Sequence, residues 1–220
     1  MKNKSIVSAG IKLFFPVILI FFSSCVSPKV TEERVKEFKE ETYNYELNSN
    51  DTLLDVGCGN GFVDGCISSA YPNMYFVLED VHKLNCFILY SNFQRTNPDK
   101  TTREIKNQIK TVRGKEDTIP LADHSFSKIL CRLSLHEFQN KPKMVEELKR
   151  LLKDDGSLII VEELSTFKGQ REQACNKLLL SGNEITELFA SSGLSLKCYN
   201  QCNWKDSIAA AVFLFVKKPI

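Results

Sequence analysis

Two rhythms of apolar residues run along the chain. Short apolar runs closed by turn residues predict strands at Thr52-Leu53-Leu54, at Met74 to Leu78 behind Pro72-Asn73, and at Lys110 to Arg113. From Lys141 to Lys153 the spacing changes: Met144, Val145, Leu148, Leu151 and Leu152 recur at helical intervals and predict a core-facing stripe. Leu151 to Glu163 then reads as a turn into a further strand. Ser181-Gly182-Asn183 predicts a helix cap, with the helix running through Phe189 and stopping at Ser192-Gly193. Leu194 to Cys202 and Ser207 to Lys217 read as two closing strands. Upstream, Thr31 to Leu47 predicts a charged helix capped by Thr31, with one apolar stripe at Val35, Phe38 and Tyr45.

The chemistry concentrates where the first strand ends, in Asp55-Val56-Gly57-Cys58-Gly59-Asn60-Gly61. Gly57, Gly59 and Gly61 fall as G-x-G-x-G rather than the G-x-G-x-x-G of dinucleotide binders. Glycine there lets the backbone turn sharply and a ligand approach main-chain atoms. A carboxylate at the strand end would repel a pyrophosphate, yet it suits a ligand carrying an ammonium and a sulfonium. Glu79-Asp80 closes the next strand, where α/β nucleotide sites place an acid for ribose hydroxyls.

These residues resemble the first motifs of class I S-adenosylmethionine (SAM) dependent methyltransferases, and three later landmarks extend the resemblance over roughly residues 50 to 165. Gly114 to Leu121 resembles the loop whose acid reaches the adenine amino group, with Lys115 where the family often has Asp, so that Glu116 or Asp117 must serve. Asp123 to Phe138 resembles the approach to the fourth strand, with Ser127 in place of the family's Asp. Leu151 to Glu163 resembles the turn into strand five, with Asp154-Asp155 replacing Pro-Gly.

The resemblance implies an α/β, Rossmann-like class I methyltransferase fold: a seven-stranded, mostly parallel sheet with helices on both faces and an antiparallel C-terminal strand. SAM, the implied cofactor, would lie across the strand ends. The implied cofactor-binding residues are Asp55, Gly57, Cys58, Gly59, Gly61, Glu79, Asp80, Glu116, Asp117 and Cys131, with Asp80 preferred to Glu79 for the ribose. His136 and Glu137, just after strand four, stand as candidate catalytic residues, the imidazole as a proton acceptor. Cys131-Arg132-Leu133-Ser134 replaces the N-D-P-P-Y type tetrapeptide of amino-group methylation, which argues for a small-molecule O-, C- or S-acceptor. The helix before the first strand would cover the sheet, the cofactor, or both.

Residues 1 to 24 change the picture. Lys2, Lys4 and Lys12 accompany an apolar run from Leu13 to Phe22, then Ser23-Ser24-Cys25. The run is too short for a bilayer, which needs about 20 residues, and fits a signal peptide. Its end resembles a bacterial lipoprotein cleavage box, with Phe22 for the usual Leu and Cys25 as the lipidated residue. The expected organisation is a targeting segment over 1–24, a lipid-attachment cysteine, linker and helix over 25–48, and the methyltransferase domain over 49–220. The expected location is a membrane surface, reached through the lipid or through an uncleaved anchor, on a side that basic residues do not decide. An exported lipoprotein retaining the fold without activity is the rival expectation, and a lipidic acceptor at the membrane face is another.

Composition narrows the rest. The 29 basic residues less the three early lysines, against 27 acidic, leave a nearly neutral mature chain. No basic patch is interleaved with aromatics, so no nucleic-acid partner is expected. Eight cysteines without CxxC spacing indicate neither a zinc site nor a full disulfide framework, and no metal ligands are expected; the pairing of Cys175, Cys198 and Cys202 and the oligomeric state are left open.

Overall fold

The computed structural model describes residues 32–82, 107–204 and 208–218. The targeting segment, Thr31 and Cys25 lie outside them. Among the described residues no helix is long and apolar enough to cross a membrane.

Seven strands form one sheet: β1 Thr52–Val56, β2 Tyr75–Asp80, β3 Gln108–Arg113, β4 Phe126–Arg132, β5 Leu152–Glu163, β6 Leu194–Trp204 and β7 Ile208–Lys217. Their order is β3-β2-β1-β4-β5-β7-β6. β1 to β5 pair in parallel, and β7 runs antiparallel between β5 and β6. The chain reverses its direction of travel across the sheet between β1 and β4. Such a switch point opens a crevice at the strands' carboxyl ends, where open α/β sheets bind ligands.

Side-chain parity divides the core into two layers. Leu54, Val56, Val77, Ile129, Cys131, Leu158 and Ile160 face α3 (Lys141–Leu151) and α4 (Gly182–Ser191). Leu53, Phe76, Leu78, Leu130, Ile159 and Val161 face Tyr45, Leu47 and Ile67 of α2 (Phe62–Ala70) on the other side. α3 buries Met144, Val145, Leu148 and Leu151, worth about 1.5–3 kcal/mol each. Asn140 caps it by accepting from the Lys143 amide, and α4 starts on a capping box between Ser181 and Glu184. The upstream helix is shorter than its apolar stripe suggested. α1 spans Glu32–Thr42, and Tyr43–Tyr45 forms a single 3-10 turn that drops Tyr45 into the core.

Two departures from the family pattern have local explanations. Ser127 takes over strand-end hydrogen bonding: its hydroxyl accepts from the Thr52 amide at 3.0 Å and donates to Asp51 Oδ1 at 2.8 Å. Lys115 sits in a tight turn closed by its own amide on Thr118 O.

Candidate active site

The glycine loop leaves β1 in left-handed backbone, with φ of 73° at Gly57 and 56° at Gly59. The amides of Gly57 and Cys58 both donate to Glu79 O at 3.0 Å, tying the loop to the end of β2. A Cβ at Gly57 would stand 2.6 Å from Ser134 Cβ, whereas one at Gly59 would meet nothing within 4 Å. Gly57 is therefore required by close packing, and Gly59 opens onto free space.

Parity decides which acid faces what. Asp55, Asp80 and Arg132 continue the α2-facing layer, while Glu79 and Cys131 belong to the α3-facing one. Asp80 accepts from the Gly59 amide at 3.2 Å and from the His82 amide at 2.7 Å, so its carboxylate lies against the glycine loop. Glu79 Oε2 accepts from the Gly57 amide at 3.3 Å, and Glu79 Oε1 is buried without a hydrogen-bond partner among the described residues. A Cβ on Gly114 would overlap Glu79. Burial pushes the Glu79 carboxyl up to about 7, against the lowering pull of the Gly57 and Gly114 amides.

Asp64, on the first turn of α2, was not singled out in the sequence, where it reads as a polar helix residue. It is fully buried beside Asp55. Among the described residues, Asp55 Oδ1 and both Asp64 oxygens find no donor, so each carboxyl has chiefly the other. Burial raises Asp64 to about 7, and burial followed by the charge of Asp64 raises Asp55 well above the carboxylate range. Desolvation and the field of Asp55, Asp64, Asp80 and Glu79 push the Cys58 thiol up as well. Four carboxyl groups thus converge on one loop.

Arg132 is the counter-charge. Its Nε donates to Glu41 Oε1 at 2.8 Å and its Nη2 to Glu41 Oε2 at 3.1 Å, and its guanidinium lies 5.3 Å from the Phe38 ring centroid. Tyr45 donates to the same Glu41 at 2.5 Å. α1 is thereby latched to the end of β4, and its Phe38 ring meets Phe62 at the start of α2.

A cavity of about 440 Å³ adjoins the loop, within the roughly 300–1,000 Å³ of small-molecule sites. Gly57, Glu79, Asp80, Glu116, Leu133, Ser134 and Glu137 are among its walls. Ser134 donates to Val56 O at 2.8 Å, and Leu133 is held in left-handed backbone at φ 52°, a strained setting for leucine. Of the two candidates for the adenine amino group, Glu116 reaches the cavity, where Gln139 donates to it at 2.9 Å. Asp117 is engaged outside it by Lys143 at 2.6 Å.

Two sequence expectations fare differently in the structure. Cys131 is fully buried in the α3-facing core and does not line the cavity, because its strand parity points it away from Asp55. His136 is also set back from the cavity: only 7% exposed, it bonds through Nδ1 to the buried Glu162 at 2.8 Å, while its neighbour Glu137 forms a wall.

The site suits SAM by its own chemistry. Unpartnered buried carboxyl oxygens want cationic or hydroxyl-bearing ligands, Gly59 leaves space at the loop, and four acids would expel a phosphate. Residues that could hold it are Asp80 and Glu116 in the cavity wall, with Asp55 and Gly59 in the loop behind.

A family profile described as a methyltransferase domain matches residues 54–160. Thiol S-methyltransferase TMT1B of Rattus norvegicus is 26% identical over 176 residues, which cover 76% of this chain and 65% of that protein. The match thus spans less than two thirds of that relative's length. A solved SAM dependent methyltransferase from Aquifex aeolicus superposes with a TM-score of 0.64 at 18% identity, covering 86% of this chain and 100% of the other. The [4+2]-cyclase SpnF superposes at 0.68 with 13% identity, covering 87% and 83%. Those identities speak to fold alone. Profile, sheet order and acid-ringed glycine loop agree: residues 54–160 match a methyltransferase domain, and the fold is that of the class I SAM-dependent methyltransferases.

Proposed function

We propose that this domain methylates the sulfur of a small thiol from a position tethered to a membrane surface. The observation carrying the cofactor half is the convergence of Asp55, Asp64, Glu79 and Asp80 on the glycine loop. Similarity to a thiol S-methyltransferase supports the acceptor half, and the lipoprotein-like segment ending at Cys25 supports the tether. Bound SAM supplies an electrophilic methyl group, which the acceptor's sulfur takes as the sulfonium bond breaks with its electron pair left on S-adenosylhomocysteine.

The chain's part in such a reaction is placement. Asp80 would hold the ribose hydroxyls, and the Asp55–Asp64 pair would supply negative charge toward the cationic end. Leu133 and Phe138 give the cavity apolar walls that exclude water. Aligning a good nucleophile on a methyl group captures most of the available rate gain. A thiol ionises near pH 8.5, so a few per cent is already thiolate at neutral pH and its proton leaves to water.

A second reading keeps the fold without methyl transfer; the likeness to a cyclase illustrates that the fold hosts other chemistry. Incubating the purified chain with SAM and a panel of small thiols, alcohols and amines tests the two. S-methyl product with equimolar S-adenosylhomocysteine supports the thiol reading; product on oxygen or nitrogen only removes it. Cofactor binding without turnover of any acceptor favours the second reading.

A further inference from the structure

Behind the cavity wall lies a cluster that methyl transfer does not use. A ring nitrogen of His136, a Glu137 carboxylate oxygen and Cys175 Sγ lie within 4.8 Å of one another, although His136 and Cys175 are 39 positions apart in the chain. We propose that these three side chains form a binding site for a zinc-class divalent metal ion, with one coordination position left open toward the cavity that Glu137 lines.

Three observations carry the proposal. First, the imidazole is oriented for ligation. Glu162, itself only 1% exposed, holds Nδ1 at 2.8 Å and also accepts from the His136 amide at 3.2 Å. That leaves Nε2 for ligation, with Glu137 Oε1 3.8 Å away and too far for a hydrogen bond. A carboxylate gripping the distal nitrogen of a ligating histidine is the usual outer arrangement at zinc.

Second, Cys175 is delivered by a built loop. The Arg171–Leu178 bridge closes it, Asn176 turns it at φ 58°, and Glu172 clamps it by accepting from the Ala174 and Cys175 amides at 2.6 Å. Zinc bond lengths of about 2.0–2.3 Å place tetrahedral ligands about 3.3–3.6 Å apart. Rotation of Glu137 and Cys175 by about an ångström therefore closes the set on a fixed histidine.

Third, the local charge favours a dication. Glu137, Glu162, Glu163 and Glu172 act on this neighbourhood against Lys141 and Lys177, four acids to two bases. Nitrogen, sulfur and carboxylate together with an open position select a zinc-class ion rather than magnesium or calcium, which prefer all-oxygen shells. The chain spacing of these ligands matches no short metal motif, so sequence inspection for CxxC-type spacing misses them.

The test uses the full chain in detergent, stripped with chelator and titrated with Zn²⁺ against a chromophoric competitor, then with Co²⁺ as a spectroscopic probe. The expected result is one tight ion per chain and a sulfur-to-cobalt charge-transfer band. Cys175→Ala should remove the band and weaken zinc at least 100-fold, and Cys198→Ala should leave both unchanged. Glu162→Gln should weaken zinc by about 10–100-fold. Cys175 sits on a half-exposed loop, so its variant should fold, and circular dichroism checks that. No stoichiometric zinc binding overturns the proposal, as does a cobalt band that survives Cys175→Ala. These readouts involve neither SAM nor acceptor, so the outcome is separate from that of the thiol reading.

Discussion

Asp64→Asn makes the buried acid pair accountable. An aspartate titrates near 3.8 when unperturbed, and burial carries Asp64 to about 7 in the folded chain. Between those values the folded state keeps a proton that the unfolded state has released, so this contribution to stability is complete below about pH 4 and is lost as pH rises through about 7. A rise from 3.8 to about 7 at about 1.4 kcal/mol per unit sets an upper limit of about 4 kcal/mol. Asparagine removes the titration and offers Asp55 a donor. The variant should melt close to wild type at about pH 4 and well above it at about pH 8.5, by up to about 10 °C if the full limit is realised. SAM should narrow that gap, because its positive charge compensates the wild-type pair and not the neutral variant. Removing one charge through an effective dielectric near 20 should cost on the order of tenfold in SAM affinity. Melts across pH with and without SAM measure all three effects. A difference that does not change with pH, or a variant less stable at high pH, would refute the shared-proton description of Asp55 and Asp64.

Other expectations separate the roles of neighbouring residues. Gly57→Val should cost about 2–5 kcal/mol of stability from left-handed strain and collision with Ser134, as well as binding. Gly59→Val should abolish S-adenosylhomocysteine binding with only about 1–2 kcal/mol lost in stability, since no protein atom opposes its side chain; calorimetry beside melts distinguishes them. Asp80→Ala should weaken S-adenosylhomocysteine by about 1.5–3 kcal/mol through lost charge-assisted bonds, while Glu79→Gln, mimicking a carboxyl that titrates near 7, should bind nearly as wild type. The opposite order would exchange their roles. Cys25→Ser should leave a precursor heavier by the mass of residues 1–24, and an intact mass with Met1 retained and Cys25 unmodified in wild type would remove the lipoprotein reading.

Much of the sheet was legible in the chain because the runs that become β1 and β2 are apolar and bounded by turn residues, and Met144, Val145, Leu148 and Leu151 repeat at a helical period. Glu116 and Asp117 were indistinguishable in sequence; only the Lys143 contact takes Asp117 out of the cavity. Strand alternation, which the sequence contains, sets Cys131 opposite Arg132 and places its side chain in the core rather than in the cavity wall. What no local pattern carries is long-range pairing. Arg132 meets Glu41 across 91 residues, and Glu162 meets His136 across 26, each through side chains whose partners only the fold selects. Asp64 was missed because burial, not residue type, makes it unusual.

The central claim is that the acid-ringed glycine loop binds SAM. Calorimetry of the detergent-solubilised full chain with SAM and S-adenosylhomocysteine, run in parallel on wild type and Gly59→Val, tests it most directly. The account predicts one site per chain for each ligand in the wild type and none in the variant. Wild-type binding that persists in Gly59→Val, or no binding by a folded wild type, would contradict it.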